Sequence, residues 1–289
     1  MTSTLNMYTE PKSFNIAPIV IKLGGALLDT PEGGAAFFEH LAGFIALHPI
    51  VVLVHGGGKS VDRHLESLGL QSEKRDGIRI TPQEHMREIA GVLAGQMNAS
   101  LVGLLRSRGV NAVGLTLADG GTTTARKTQK FSFDAGRVGE ITGGSPQLIQ
   151  ALLRNGCIPV FSSIAMDRGG QLLNINADEA AAAIARLTQA RQLVLLTDVA
   201  GVKDEAGNIV RTLDRAGVER LTQSGAITGG MLAKVRGALE ASEQSGVETL
   251  VAGWNDANVL ESLQYAGTVK FVGTQFLAIQ TAPHAEVVS

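Results

Sequence analysis

Two lysines, an arginine, an aspartate and three glycine-rich turns are the residues of this chain whose types and spacing point to chemistry. Lys22 interrupts the apolar run "IVIKL" two residues before Gly24 and Gly25. An ammonium in such a run needs an anionic partner, because burying it alone is costly. The other reading is a lysine on an exposed strand edge. Gly56, Gly57 and Gly58 close a second apolar run, "VVLVH", and precede a helical pattern, so their backbone N–H groups make a natural anion site. A tight turn that needs only glycine's freedom is the plainer account. Lys234 lies about one turn into the helix that starts at Gly229 and Gly230, again a helix N-terminus with a cation beside it. Arg79, between Ile78 and Ile80 in "GIRIT", suits a bidentate carboxylate or phosphate, or else a surface salt bridge. In "LLNINADEAA" Asn174, Asn176 and Asp178 alternate as a strand or loop enters a helix. Asp178 caps that helix or lies in its first turn, where the dipole favours a carboxylate.

Together these residues suit the positioning of one anion against a polyphosphate. The six histidines, His40, His48, His55, His64, His85 and His284, have no ligand-like spacing, and no nucleophile–base pair or zinc pattern stands out. Phosphoryl transfer asks mainly for positioning and charge compensation. A carboxylate acceptor is already ionised at neutral pH and needs no general base, so two lysines address the main obstacle. The Gly-Lys-Ser at 58–60 is not a P-loop, because the glycine that motif requires is replaced by Leu53. A dinucleotide fingerprint is also incomplete, since Val61 stands where its third glycine packs helix on strand.

The elements that must carry these residues alternate along the chain. "IVIKLGG", "IVVLVHGGG", "NAVGLTL", "CIPVFSSI", "RQLVLLTDVAGV" and "VETLVAG" read as strands, and helical periodicity separates them. "QSEKRDGIRIT" reads as a short hairpin around Asp76 and Gly77, and Pro82 opens a helical stretch to about Arg108. "KFSFDAGRVGEIT" alternates like hairpin strands. This rhythm predicts an α/β fold with a mainly parallel central sheet and helices on both faces. In such sheets ligands bind beyond the carboxyl ends of the strands, which is where the glycine turns fall. With no tandem repeat or low-complexity linker, two lobes sharing one sheet are expected.

At 289 residues, 44% hydrophobic and 18% charged, the chain is an ordinary globular protein. A formal net charge of −2 argues against broad capture of nucleic acid or an anionic membrane, and no uninterrupted apolar run reaches transmembrane length. The single cysteine, Cys157, excludes an intrachain disulfide and fits a reducing cytoplasm. The run "CIPVFSS" predicts that it is buried in a strand. Residues 1–18 lack a signal-peptide core and are expected to form an arm.

The segments "IVIKLGGALLD", "VVLVHGGGKSVD", "DGIRITP", "GSPQLIQALLRNGCIPVFSSI", "QLLNINADEAA", "LLTDVAGV" and "ITGGMLAKV" occur in an order that resembles the amino-acid kinase family. "HGGGKSVD", "GIRIT" and "NINADEAA" in combination resemble its branch that phosphorylates N-acetylglutamate on the arginine route from glutamate. The likeness spans roughly residues 19–255. It implies an open three-layer α/β/α sandwich, with an acceptor-binding and dimerising lobe over 19–190 and an ATP-binding lobe over 191–289. By resemblance, Lys22 and Lys234 contact the phosphates and stabilise the γ-phosphoryl group, and Asp178 holds both lysines in place. Gly57 and Gly58 bind the reacting carboxylate of N-acetyl-L-glutamate, Arg79 pairs with its α-carboxylate, and Asn174 hydrogen-bonds the acetylated amino acid. Gly24 and Gly25 lie near the phosphates. Asp198, Val199, Ala200, Gly201, Val202 and Lys203, with Ala226, Ile227 and Thr228, line the ATP pocket. Magnesium travels with the nucleotide and has no protein ligand.

Arginine-inhibited members of the family are hexamers held by an amphipathic N-terminal helix. Residues 1–18 show no such helix, with Pro11 and Pro18 punctuating them, and the chain end lacks an acidic, glycine-rich segment. An arginine-insensitive homodimer is therefore expected. The competing readings are a sibling kinase for N-acetyl-aminoadipate, aspartate or glutamate, a Rossmann oxidoreductase, and a non-catalytic sensor. The oxidoreductase leaves Lys22 and Lys234 unexplained. Retention of Lys22, Asp178 and Lys234 argues against the sensor.

Overall fold

Period-two alternation in the strand Ile19–Leu23 sends Ile19, Ile21 and Leu23 into one layer of core and Val20 into the other. Lys22 shares the face of Val20. The computed structural model describes residues 16–28, 31–75, 78–256, 258–264 and 272–277. Its central sheet has eight strands in the order Thr212–Leu213, Thr274–Phe276, Thr249–Gly253, Gln192–Thr197, Ile19–Leu23, Val51–His55, Ile158–Ser162, Ala112–Thr116. The six strands from Thr249–Gly253 to Ala112–Thr116 run parallel. Thr274–Phe276 pairs antiparallel with Thr249–Gly253, and Thr212–Leu213 runs with it at the sheet edge. A parallel sheet must be covered on both faces. The first layer of core includes Phe37, Phe38, Leu41 and Phe44 from the helix Pro31–Leu47. The second includes the alanines of Ala177–Leu187, buried side by side, with Val235 and Leu239 of Gly229–Ser245. Small side chains let that central helix lie close to the sheet. The predicted three-layer α/β arrangement is what forms.

The strand Ile19–Leu23 sits between Val51–His55 on one side and Gln192–Thr197 on the other. The chain passes from it to Val51–His55 on one side and only later enters Gln192–Thr197 on the other, so the strand order reverses there and a crevice opens at its carboxyl end, the position where open α/β sheets bind ligands. Lys22, Gly24, Gly56–Gly58 and Asp198 all fall there.

Two expectations need correction. The region after residue 120 does form a hairpin, but its strands are Thr123–Lys127 and Gly139–Gly144. The segment from Lys130 to Arg137 lies in the connection between them. Phe131 and Phe133 alternate because their rings stack on each other, with centroids 5.2 Å apart, and not because they share a strand face. Cys157 precedes its strand and is half-buried, its sulfur accepting a hydrogen bond from Asn111 Nδ2 at 3.2 Å. The helical stretch after Pro82 is continuous to Arg106 but changes type, with a π-helical segment Gly91–Met97 inside it. The expected arm, the hairpin tip at Asp76 and Gly77, and the chain end lie outside the described residues.

Candidate active site

Because Lys22 shares the face of Val20, it points to the layer that holds the helix Ala177–Leu187. Asn176 is the N-cap of that helix, its side-chain oxygen accepting from the N–H groups of Asp178 and Glu179 at 2.8 and 3.3 Å. Asp178 is thereby freed from capping and sits in the first turn. Its carboxylate meets the Lys22 ammonium at 2.9 Å. Lys22 is 17% exposed at its side chain and Asp178 36%, so the pair is partly sheltered yet reachable from the crevice. The lysine on the apolar strand has the anionic partner its setting demands.

Lys234 does not share that partner. It ion-pairs with Asp198, at the carboxyl end of the strand Gln192–Thr197. Lys234 sits one turn into Gly229–Ser245, across from this strand end, which brings Asp198 rather than Asp178 to its ammonium. The hydrogen bond from Lys234 holds the Asp198 carboxyl below its ordinary range against the opposing effect of burial. At the start of the same helix, Thr228 occupies the N-cap position without a side-chain cap bond, leaving the first N–H groups available to an anion.

The four residues expected to bind an acceptor come together. Gly57, Gly58, Arg79 and Asn174 line one cavity of about 280 Å³, between the glycine turn and the short hairpin Lys74–Arg75 and Ile78–Arg79. Ala177 and Glu179, the neighbours of Asp178 in sequence, line it too, so the cavity ends beside the Lys22–Asp178 pair. Arg79 is buried. It donates to Asp62, to Ser72 Oγ, and to the carbonyl of Gly58 at 2.8 Å. Lys74 meets the other oxygen of Asp62 at 2.6 Å. Burial works against the Asp62 carboxylate, yet hydrogen bonds from Arg79, Lys74 and Ser72 outweigh it and hold its pKa far below the usual range. Asn174 donates to Thr81 Oγ1 at 3.0 Å, and that hydroxyl donates to the Arg79 carbonyl at 3.0 Å. One chain of contacts thus joins the hairpin to the strand Leu172–Asn174.

The glycine turn itself is held from behind. A Cβ on Gly57 would lie 2.1 Å from Met97 Sδ and 2.9 Å from Leu93 Cδ2, both from the π-helical segment. That widened turn of helix brings its side chains against the loop, in keeping with the habit of π-segments to occur at functional sites. A Cβ on Gly24 would meet the Leu196 carbonyl oxygen at 2.9 Å. His55, fully buried just before the turn, lies 3.0 Å from the carbonyl of Gly56 through Nδ1 and 3.0 Å from Asn98 Nδ2 through Nε2. The tautomer satisfying both contacts carries its proton on Nδ1. Asn98 also donates to the Val160 carbonyl at 3.0 Å.

Burial lowers the His55 pKa below 6.5, with the Gly56 contact opposing in part. The folded protein therefore keeps this ring neutral where the unfolded chain would bind a proton. Stability from this group is complete above the unfolded value and is lost as pH falls below it toward the folded value. The melting temperature is expected to decline as pH falls below about 6.5, and His55→Gln should flatten that slope. An unchanged slope in the variant would assign the acid sensitivity elsewhere.

Among the residues expected at the nucleotide, Val202 and Ile227 are buried in the core, so they offer only backbone to a ligand. Val202 N–H is already engaged by Thr274 Oγ1 at 2.8 Å. Lys203 pairs with Ile209 in an isolated bridge, and Gly201 has φ 152°, with a would-be Cβ 2.9 Å from Ile209. Sequence reasoning missed Asp62, Lys74, Lys130, Phe131 and Ser163, the last four of which line the same cavity as Gly57, Gly58, Arg79 and Asn174. Only Asp62, in the first turns of the helix after the glycines, left a signal.

The sequence model of the amino acid kinase family matches residues 17–253. The chain belongs to the amino-acid kinase family. It is 42% identical over 264 residues to the acetylglutamate kinase of Shewanella sediminis, an alignment covering 91% of this chain and 97% of that one. With the acetylglutamate kinase of Vibrio cholerae it shares 42% identity over 263 residues, covering 91% and 98%. Among solved structures, N-acetylglutamate synthase of Neisseria gonorrhoeae superposes with a TM-score of 0.74 over 90% of this chain and 59% of that one, at 24% identity. That likeness shows the shared fold. As a member of the amino-acid kinase family, the chain is an enzyme of the kinase class.

Proposed function

We propose that this kinase transfers the γ-phosphoryl group of ATP to the side-chain carboxylate of N-acetyl-L-glutamate, giving N-acetyl-L-glutamyl 5-phosphate and ADP in arginine biosynthesis. The observation that carries this reading is the acceptor cavity, in which a buried arginine, an asparagine and a glycine turn converge beside the Lys22–Asp178 pair. The names of the relatives agree with it.

In the reaction, a side-chain carboxylate oxygen of the acceptor forms a bond to the γ-phosphorus. The bond from that phosphorus to the β–γ bridging oxygen breaks, and the electron pair leaves with ADP. No proton changes hands, so no general base is required. Gly57 and Gly58 N–H groups orient the attacking carboxylate, and Arg79 with Asn174 fixes the α-carboxylate and the amide. Lys22 and Lys234 compensate the charge on the transferring group from opposite sides of the crevice, and Asp178 orients Lys22. The uncapped N–H groups at Gly229 and Gly230 suit a phosphate. Nucleotide contacts are assigned to Gly24, Gly25, Asp198–Lys203 and Ala226–Thr228, with the 19–190 lobe serving the acceptor and the 191–289 lobe the nucleotide. Among the described residues, no group of three or more His, Cys, Asp or Glu could hold a metal ion. Mg²⁺ is proposed to arrive on the nucleotide phosphates, where it would offset their charge.

A homodimer is part of the proposal. The helix Gln83–Arg106 leaves small residues exposed, Gly91, Gly95, Ala99, Ser100 and Gly103, a face that suits close approach by a second copy of the chain. It is also long and apolar enough to cross a membrane. Val92, Leu93, Leu101 and Leu105 are buried in the protein's own core, which favours the packed, membrane-free reading.

Hydroxylamine trapping with Mg-ATP and a panel of acids tests the assignment. N-acetyl-glutamate alone is expected to yield hydroxamate from a panel that also holds glutamate, aspartate and N-acetyl-aminoadipate. Hydroxamate from a different acid would move the chain to a sibling activity. Silence across the panel would overturn the proposal.

A further inference from the structure

The connection from Thr128 to Val138 is fastened at its base and loaded with unusual side chains. Thr81 N–H donates to the Ala135 carbonyl at 3.1 Å, and Arg137 N–H donates to the Thr81 carbonyl at 2.6 Å. Gly136, at φ 68°, passes so close that a Cβ would lie 2.2 Å from the Thr81 oxygen. Arg137 is buried and ion-pairs with Asp167 at 2.8 Å while donating to the Leu172 carbonyl at 3.0 Å. Thr81 is also the residue that positions Asn174, so the loop base and the acceptor-binding asparagine share one anchor.

From that base the loop reaches the cavity. Lys130 and Phe131 both line it. Lys130 is drawn to Glu179 at 2.6 Å, one residue beyond the aspartate that holds Lys22. Phe131 stacks on Phe133, and the Arg75 guanidinium lies 4.5 Å above the Phe133 ring. Arg75 belongs to the hairpin that carries Arg79. The contact is a cation–π pair, and it ties the loop to the hairpin across the mouth of the cavity. Phe131 is thus held as the aromatic wall of a cavity whose other apolar lining is aliphatic, from Val61, Ile78, Ile89, Leu93, Val138 and Ile175.

An acyl-glutamate has two carboxylates and one apolar appendage. The carboxylates have their partners in the glycine turn and Arg79, and the appendage is what an aromatic wall can recognise. We infer that Phe131, braced by Phe133 and Arg75, is the specificity-determining residue for the acyl group of the acceptor, with Lys130 and Glu179 locating the loop. This rests on the acceptor reading proposed above.

The test compares wild type, Phe131→Ala and Phe133→Leu with N-acetyl-, N-propionyl- and N-butyryl-glutamate. Phe131→Ala is expected to raise KM for N-acetyl-glutamate about tenfold and to cut the acetyl-over-butyryl preference about tenfold, because a hydrophobic pocket discriminates even a single methylene by about tenfold or more. KM for ATP and kcat should stay within about twofold. Phe133→Leu, which leaves the cavity lining intact, should reproduce part of both changes. The half-exposed position of both rings leaves the melting temperature nearly unmoved, and that measurement separates a folding defect from a specificity change. An unaltered acyl preference in Phe131→Ala with active wild type would overturn the inference alone. Failure of wild type with every acyl-glutamate would overturn the acceptor reading and this inference with it.

Discussion

Lys234→Ala is expected to lower kcat by about 10³-fold while changing the acceptor KM no more than about threefold. A cation acting on the transferring phosphoryl group works chiefly in the transition state, and removal of such a group typically costs about 10³–10⁵ in kcat. The lower end is expected because Lys22 remains on the other side of the crevice. Lys234 is 44% exposed and its partner Asp198 57%, so deleting the pair leaves no buried charge and the fold should be untouched. Steady-state kinetics with both substrates and a thermal melt decide the matter. A rise in acceptor KM equal to the fall in kcat would place Lys234 on the acceptor and undo the division of roles between the lobes.

The second large effect belongs to Arg79. Arg79→Ala should raise acceptor KM on the order of 10²-fold, since truncating one side of a buried, hydrogen-bonded charge pair costs about 2–5 kcal/mol. It should also lower stability, because Asp62 loses the guanidinium that sustains its charge and keeps only Lys74 and Ser72. Arg79→Lys is not expected to rescue binding. A single ammonium cannot reach Asp62, Ser72 and the Gly58 carbonyl at once in the manner of the planar fork. Acceptor titrations at saturating ATP measure the effect. A KM within about twofold of wild type in either variant would show that Arg79 is only a brace for the hairpin.

How far the sequence led depended on how local each contact is. Strand alternation asked only for an anionic partner to Lys22; that Asp178 is that partner was legible through resemblance. The convergence of Gly57, Gly58, Arg79 and Asn174 was legible through resemblance, and the cavity that joins them agrees. What lay hidden were contacts made by loops closing over long separations. Asp198 captures Lys234 across 36 positions of chain, and nothing in either segment announces it. Arg79 could be read as a ligand for an anion or as a salt bridge. It forms the salt bridge, buried, and still lines the cavity. Phe131 and Phe133 misled because ring stacking in a loop imitates the period of a strand. The Met97 contact behind Gly57 depends on a π-segment, whose widened turn leaves no mark in hydrophobic spacing.

The cations around the crevice share a property that bears on how ligands arrive. Lys22, Lys74, Arg79, Lys130 and Lys234 each already face a carboxylate of their own chain. An incoming anion therefore meets a region that is close to electrically balanced, and the field it feels from afar is weak. Binding becomes an exchange of partners, in which phosphate or carboxylate oxygens take over ammonium contacts held until then by Asp198 or Glu179, while Asp178 keeps Lys22 in place. Such a site distinguishes its ligands at contact distance, by shape and by the geometry of each replacement, and gives little advantage to a molecule that offers only negative charge.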